Sequence, residues 1–480
     1  MKAEGAQRGR VVQTKRATPQ RSLQHSMSIH ISVESIQGKQ RKDIVKEIQQ
    51  RAKKEALLVV KEVLEAGLEA EVEEVLGRKK GGTRRISSQP HQIAWICRHC
   101  GCQDANQFLR DGHYKRNLET GWGHIEGLRV PMLECQQCFH DVVCHFRLLE
   151  KFQRLWIDLE QDALFSSGLG QSLRSIAQRW SGQAESPMGL RAINERINQI
   201  EPLIEKMREH PIIPGPPVVQ FDGIWVPIES TGEEIKIDKK QRKRKRRSGK
   251  KRVILVALAF WEDGRREVLD WQIAPSEEHT HWEVLLNRLW RRGVQPEKGL
   301  KMIVRDGCGG LEEAIALVYG PSVLDQRCIF HKLHNAGTKV RSELKGKEQR
   351  EKRKLLMKEA SAIYQASTAS EARIRLQAWV QQWQGYAPDA VATLQRDFEA
   401  TILFYRLDTV TREWIRTTSL LERANRAFRT KFRQAVTFGS QIGAEVALYL
   451  QVLRLHTSWT NGSWWEVSHD LPFALRELHP

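Results

Sequence analysis

No apolar run in this chain approaches the roughly 20 residues that a membrane-spanning helix requires. The longest, VILVALAF at 253–260, is the length of a strand. The N-terminus is basic and polar with no hydrophobic stretch behind it, so no secretory signal is expected. There is no internal repeat. Acidic residues are in short supply: 58 Asp and Glu face 77 Lys and Arg, a net charge of +19. A surplus of that size points to a polyanionic partner, and nucleic acid is the first candidate because phosphate neutralisation drives its binding. Cysteine is scarce except in one place, since six of the eight fall between 97 and 144. Without an export signal, such clustering favours metal over disulfides. The expectation is an intracellular, cytoplasmic protein with no membrane partner.

What is present suits a large globular chain. Its 480 residues allow two or more domains, and 40% hydrophobic content with fifteen Trp argues for real cores. Residues 1–30 read as a disordered basic tail. KEALLVVKEVLEAGLEAEVEEVLG predicts a helix up to about Leu76, and GRKKGGTRRISSQP (77–90) a linker. Then Cys97-x2-Cys100 and Cys135-x2-Cys138 form two turns able to converge four thiolates on one tetrahedral zinc ion, a closed structural site. The intervening GHIEGLRVPMLEC reads as strand, which predicts a zinc-ribbon-like domain over 91–148. Cys102, Cys144, His99, His140 and His145 are spare ligands.

Residues 169–200 have the pattern of a helix-turn-helix within a segment 149–212. Leu173, Ile176, Ala177 and Trp180 line the first helix, and Ser186-Pro187 opens a second that would offer Arg191 and Arg196 to a DNA groove. The proline run PIIPGPP (211–217) closes that segment. VVQFDGIWVPI, KRVILVALAF and GRREVLDWQI follow as three strands, the last two joined at WEDGR. Thr280 to Glu283 fits a capping box, starting a helix through Trp290. KMIVRD is the next strand, GLEEAIALVYG a helix and SVLDQRCIF a strand. Residues 332–410 look helical, and a last helix spans about 417–430.

This order is that of the ribonuclease H-like α/β core, in which the first and fourth strands are neighbours. Asp222 in the first strand and Asp306 at the end of the fourth would then share one sheet edge, although 306 − 222 = 84 residues separate them. Two adjacent carboxylates repel each other, and divalent cations relieve that cost. Two Mg²⁺ ions, with Mn²⁺ as a substitute, suit phosphoryl displacement at such a site. A third acid should come from a helix against the same edge.

From Asp222 onward the chain resembles the Mutator-like superfamily of DDE transposases, which includes many bacterial insertion-sequence enzymes. The resemblance is carried by FDGIWV, the Trp282–Gly293 stretch, RDGCGGLEEAI, QRCIFHKLHN, RTTSLLERANRAFRTKF and Phe438. It implies that Asp222, Asp306 and Glu422 are catalytic, that residues 332–412 form an all-helical insertion between core parts 213–331 and 413–450, and that the C-x-x-H pair is Cys328 and His331. Two ligands are too few for zinc, so those two are expected to pack beneath the site. Ser419 departs from the Asn often found there. Residues 451–480 read as a C-terminal tail. Eleven of the fourteen residues 239–252 are Lys or Arg, Lys243, Arg244, Arg246 and Arg247 among them, and they suggest a flexible hairpin arm that tracks phosphates. The expected function is a DNA transposase binding transposon ends and target DNA as a homo-oligomer. The alternatives are a DNA-binding regulator with an inactive body, or a ribonuclease H-like nuclease or resolvase without strand transfer.

Overall fold

The computed structural model describes residues 37–81, 95–182, 188–237, 243–435, 438 and 440–478, with backbone alone over 229–250. The expected basic tail, most of the linker and the Ser186-Pro187 helix start lie outside the described residues. The chain divides into two units, 1–59 and 60–480. The described part of the first is the beginning of helix α1 (Arg41–Leu76).

In the second unit α1 continues as a run of strong helix formers. Val72 and Leu76 pack into a small core with Trp95, Phe108, Leu133, Cys97 and Cys135. That core belongs to a cysteine-bearing module. Strand β1 (Ile96–Cys97) pairs antiparallel with β4 (Val142–Val143), and the long hairpin β2 (Phe108–Thr120) and β3 (Gly123–Cys135) lies between them in sequence. β3 coincides with the stretch whose pattern predicted strand. Carboxylates of α1 tie the module down: Glu65 accepts from the Arg129 amide at 2.9 Å, and Glu71 from those of Arg147 and Leu148 at 2.8 and 3.0 Å.

Four short helices follow: α2 (Ile157–Gly168), α3 (Leu173–Ser181), α4 (Leu190–Asn198) and α5 (Glu201–Glu209). α3 starts where Ser172 caps the Ser175 amide and buries Ile176, Ala177 and Trp180, as its spacing predicts. α4 begins at Leu190 and buries Ile193 and Ile197.

Beyond the proline run, β5 (Val218–Ile237), β6 (Lys243–Phe260), β7 (Arg266–Ala274), β8 (Met302–Arg305) and β9 (Leu324–Arg327) form one mixed sheet of order β7-β6-β5-β8-β9. The first three strands are antiparallel; β8 and β9 run parallel to β5 and to each other. Residues 253–260 are all fully buried because β6 is covered on both faces. Val253, Leu255 and Ala257 face α6 (His279–Arg292) and α7 (Gly309–Val318), whereas Ile254, Val256 and Leu258 face the other layer. β5 and β6 pair far beyond the apolar run, as far as Ile237 and Lys243, so the backbone of the basic segment from Lys243 onward is laddered strand, one side of the expected hairpin. α6 begins one residue before Thr280: Glu278 is its extended N-cap and makes no side-chain capping bond, so the capping box does not form. Gly293, at φ 113°, ends α6 in the left-handed conformation that glycine adopts without strain.

After β9 come α8 (Ile329–Glu343), α9 (Arg350–Ile363), α10 (Ala369–Trp383), α11 (Pro388–Gln395) and the single turns α12 (Phe398–Thr401) and α13 (Arg412–Ile415), which make the predicted helical stretch. Trp379 and Trp383 are buried there, their indole N–H groups donating to Leu356 O and Glu359 Oε2. α14 (Ser419–Ala435) packs on β5. In the expected C-terminal tail, residues 451–478 are largely helical: α15 (Gln441–Trp459) and α16 (Trp464–Arg476) run through them because Leu, Val and Trp at helical spacing have α2 and β7 to cover. The join is close. A Cβ at Gly168 would meet the Trp464 ring at 2.1 Å, Gln451 Nε2 donates to Gly168 O at 2.8 Å, and Lys431 Nζ of α14 donates to Ser167 O at 2.7 Å. Among the described residues, no helix is long and apolar enough to cross a membrane.

Candidate active site

The pairing of β5 with β8 fixes where the two aspartates stand. Val218 faces Met302, Val219 faces Ile303 and Gln220 faces Val304, a constant offset of 302 − 218 = 84. Asp222 and Asp306 continue that offset just past the paired residues, at the end of β8. The sheet topology thus brings both to one edge.

Three bonds bring α14 to the same edge. Gln220 Nε2 donates to Thr417 O at 2.9 Å, the Thr418 amide donates to the Cys328 Sγ at the end of β9 at 3.3 Å, and Asn425 Nδ2 donates to Asp222 Oδ2 at 2.7 Å. Glu422 and Asn425 are three residues apart on α14 and share a helix face. Glu422 Oε1 lies 3.8 Å from His331 Nε2, at the start of α8. Asp306 ends β8 with its Oδ1 accepting from the Cys308 amide at 2.9 Å, which turns the chain into α7. Asp222 Oδ1 accepts from the Gly223 amide at 2.9 Å.

The electrostatics follow from this crowding. Asp222 is 7% exposed. Burial, then the charge of Asp306 with Glu422 adding to it, pushes its carboxyl up to about 7 against the pull of His331. His331 is pushed up to about 9 by the adjoining Cys328 and by Asp222 and Asp306, against its burial. Its buried Nδ1 has no hydrogen-bond partner. Cys328 accepts from Thr418 and lies buried beneath the site.

Two features of this edge escaped the sequence. Glu277, in the loop before α6, feels the same acids: its carboxyl is raised by burial and then by the Asp306 charge, and it accepts from Trp225 Nε1 at 2.8 Å. Asn425 belonged to a recognised motif, but its bond to Asp222 could be seen only in three dimensions. Two other strand acids are structural. Asp270 is fully buried against Arg208, Arg288 and Arg292, and Asp325 pairs with Arg305.

The acids fit a hard cation by donor type and by their mutual repulsion. Among the described residues they are not within the 4.8 Å mutual spacing of a single-ion cage. The four cysteines are: Cys97 Sγ lies 3.3 Å from Cys138 Sγ and Cys100 Sγ 3.6 Å from Cys135 Sγ, and all four come within 4.8 Å. Backbone amides, Cys100's foremost, pull the Cys97 thiol down to about 6. His99, Cys138 and His140 make a second, overlapping group, with the two imidazoles stacked at 3.8 Å.

The expected DNA contacts differ in setting. Arg191 is exposed and pairs with Glu195, whereas Arg196 is drawn inward to Glu160 at 3.1 Å. Lys243, Arg244, Arg246 and Arg247 are strand residues whose side chains lie outside the described residues. A cavity of about 1230 Å³ has none of the three acids in its lining; Lys115, Arg116, Lys151, Arg154 and Arg196 line it beside Glu119, Glu150 and Glu195.

A mixed α/β body with a sheet-edge acid cluster and a cysteine-rich candidate metal site is thus the class of molecule at hand. Residues 34–462 match the model for "Transposase, Mutator family", so the chain belongs to the Mutator family of transposases. It is 26% identical over 418 residues to the transposase for insertion sequence element ISRM5 of Rhizobium meliloti (strain 1021), covering 85% of this chain and 88% of that one. It is 24% identical over 365 residues to the transposase for IS256 in transposon Tn4001 of Staphylococcus aureus, 74% and 83% of the two chains. The Drosophila P element transposase strand transfer complex aligns over 62% of this chain and 80% of that one at 10% identity; its TM-score of 0.25 carries no argument.

Proposed function

We propose that this protein is an insertion-sequence transposase that cuts and joins DNA at the Asp222–Asp306–Glu422 edge. The observation that carries the reading is the convergence of those acids from β5, β8 and α14, with Asn425 fastening α14 to Asp222. The sheet order supports a ribonuclease H-like core, with 332–412 as a helical insertion and 413–450 completing the core.

Asp222, Asp306 and Glu422 would hold two Mg²⁺ ions, or Mn²⁺ in their place. Such ions supply charge neutralisation to the attacking and leaving oxygens of an in-line phosphoryl displacement. The chain's own groups do the positioning. Asn425 Nδ2 and the Gly223 amide each hold one oxygen of Asp222. His331 Nε2 stands 3.8 Å from Glu422 Oε1, where a protonated imidazole would help to position that carboxylate. Water is the nucleophile for end cleavage and the freed 3′-hydroxyl for strand transfer, so no serine or tyrosine adduct is needed.

The four cysteines Cys97, Cys100, Cys135 and Cys138 would bind structural Zn²⁺ in a ribbon-like module over 91–148. With the helices of 149–212 and Arg191, it would read the terminal inverted repeats. The basic strand residues Lys243 to Arg247 would follow phosphates. Pairing two element ends calls for at least two copies on DNA.

The test is a strand-transfer assay on the DNA flanking the gene, with and without Mg²⁺. Mg²⁺-dependent joining of a cut end to target supports the reading; cleavage without joining selects a nuclease, and binding without cleavage a regulator.

A further inference from the structure

Trp225 lies on the exposed face of its strand with Pro227, alternating with the buried Ile224 and Val226, and its indole is 49% exposed. It is not loose. Its Nε1 donates to Glu277 Oε1 at 2.8 Å, and Glu277 is itself fixed. A Cβ at Gly223 would meet Glu277 Oε1 at 2.7 Å, and one at Gly310 would meet Glu277 O at 2.3 Å. Glycine at both positions lets the Glu277 loop lie flat between β5 and the start of α7. The edge of the ring is therefore pinned while much of its surface faces solvent.

The surroundings say what would cover it. Cys308, whose amide donates to Asp306 Oδ1, also donates through its Sγ to Glu277 O at 3.6 Å, so Glu277 joins Trp225 to the acid edge from the sheet face away from α14. Along the hairpin, Trp225 pairs with Val253, and Pro227, two residues on, pairs with Lys251. Lys251 is exposed and leaves the sheet on the same face as Trp225. A pinned aromatic surface with a cation one step along the strand matches a nucleotide, whose base stacks and whose phosphate meets the charge.

We propose that Trp225, oriented by Glu277, is a stacking platform for one unpaired nucleobase next to the phosphodiester that is cut. The proposal rests on the catalytic reading given above, because that reading places DNA at this edge. Stacking of this kind contributes about 1–3 kcal/mol per base, which is roughly a five- to 150-fold change in binding.

The test is a cycle between protein and DNA, read as equilibrium binding by the full chain in the Asp222→Asn background, so that cleavage does not intrude. The probes are pre-nicked end duplexes from the DNA flanking the gene, intact or with a single abasic nucleotide at each position around the nick. Trp225→Ala should weaken binding of intact ends by about ten- to 100-fold and lose that defect on one abasic probe. Trp225→Phe, which keeps a ring, should retain most of the affinity, and Glu277→Ala should fall between. Equal binding by Trp225→Ala and its parent on intact ends overturns the proposal. So does a defect of the same size on every abasic probe, which would mean that Trp225 shapes the hairpin or meets a second protein copy. If Asp222→Asn itself still cleaves, the catalytic assignment fails while the binding cycle continues to report on Trp225.

Discussion

Asp222 and Asp270 lie in the same sheet, on β5 and β7, and both are buried. Asp270 meets three arginines: Arg288 Nε at 2.5 Å, Arg208 Nε at 3.4 Å and Arg292 Nη1 at 3.7 Å. Asp222 meets other acids, an amide donor and one histidine. The first carboxylate has more positive charge than it needs, and the second has too little. Burial alone therefore does not mark a working acid. What distinguishes Asp222 is a charge that the protein leaves uncompensated, in a place that a cation and a phosphate could enter.

The largest effect that could break this contrast comes from charge removal at the edge. Asp222→Asn or Asp306→Asn should lower end cleavage by about 10³-fold or more, some 4 kcal/mol of barrier, while end binding in a mobility-shift assay stays intact. Full-rate cleavage by either variant would reject the assignment. Next comes the saturated acid. Asp270→Ala leaves Arg208, Arg288 and Arg292 without their shared partner, and should cost about 3–5 kcal/mol in denaturant unfolding. At a temperature where the variant is folded, its cleavage rate should match the parent's. A smaller loss is expected for Asn425→Ala, which frees Asp222 Oδ2: cleavage should drop about ten- to 100-fold, with a raised Mg²⁺ requirement.

The smallest effect concerns His456 of α15, which packs against β7. His456 Nε2 accepts from the Val268 amide at 2.9 Å, and burial lowers the imidazole from 6.5 to about 4. A depressed pKa gives stability that is complete above the unfolded value and is lost as pH falls from about 6.5 toward 4. Unfolding midpoints measured across that window should decline, and His456→Gln should flatten the decline.

The contrast also shows what could be seen in one dimension. Alternation and apolar runs located the five strands, and the order of strands and helices sufficed to place Asp222 beside Asp306. The resemblance supplied Glu422, on a helix that no spacing could have linked to β5. The four cysteines were legible because each CxxC is local. Glu277 was not, for its meaning comes from a glycine in β5 and another in α7 that together admit it. The extent of β5 was hidden too: charge in 239–252 suggested a flexible hairpin arm, and the ladder runs through its described part because backbone pairing is indifferent to side-chain charge. The C-terminal helices were missed because their apolar residues find partners in α2, nearly 300 residues earlier.

That last join has a genetic consequence. Because Trp464 fills the space that Gly168 leaves and Lys431 reaches Ser167, the segment expected to grip an element's end is packed directly against the helix bearing Glu422 and against α16. A frameshift just before codon 464 would spare Asp222, Asp306, Glu422 and all eight cysteines, yet should still silence the element.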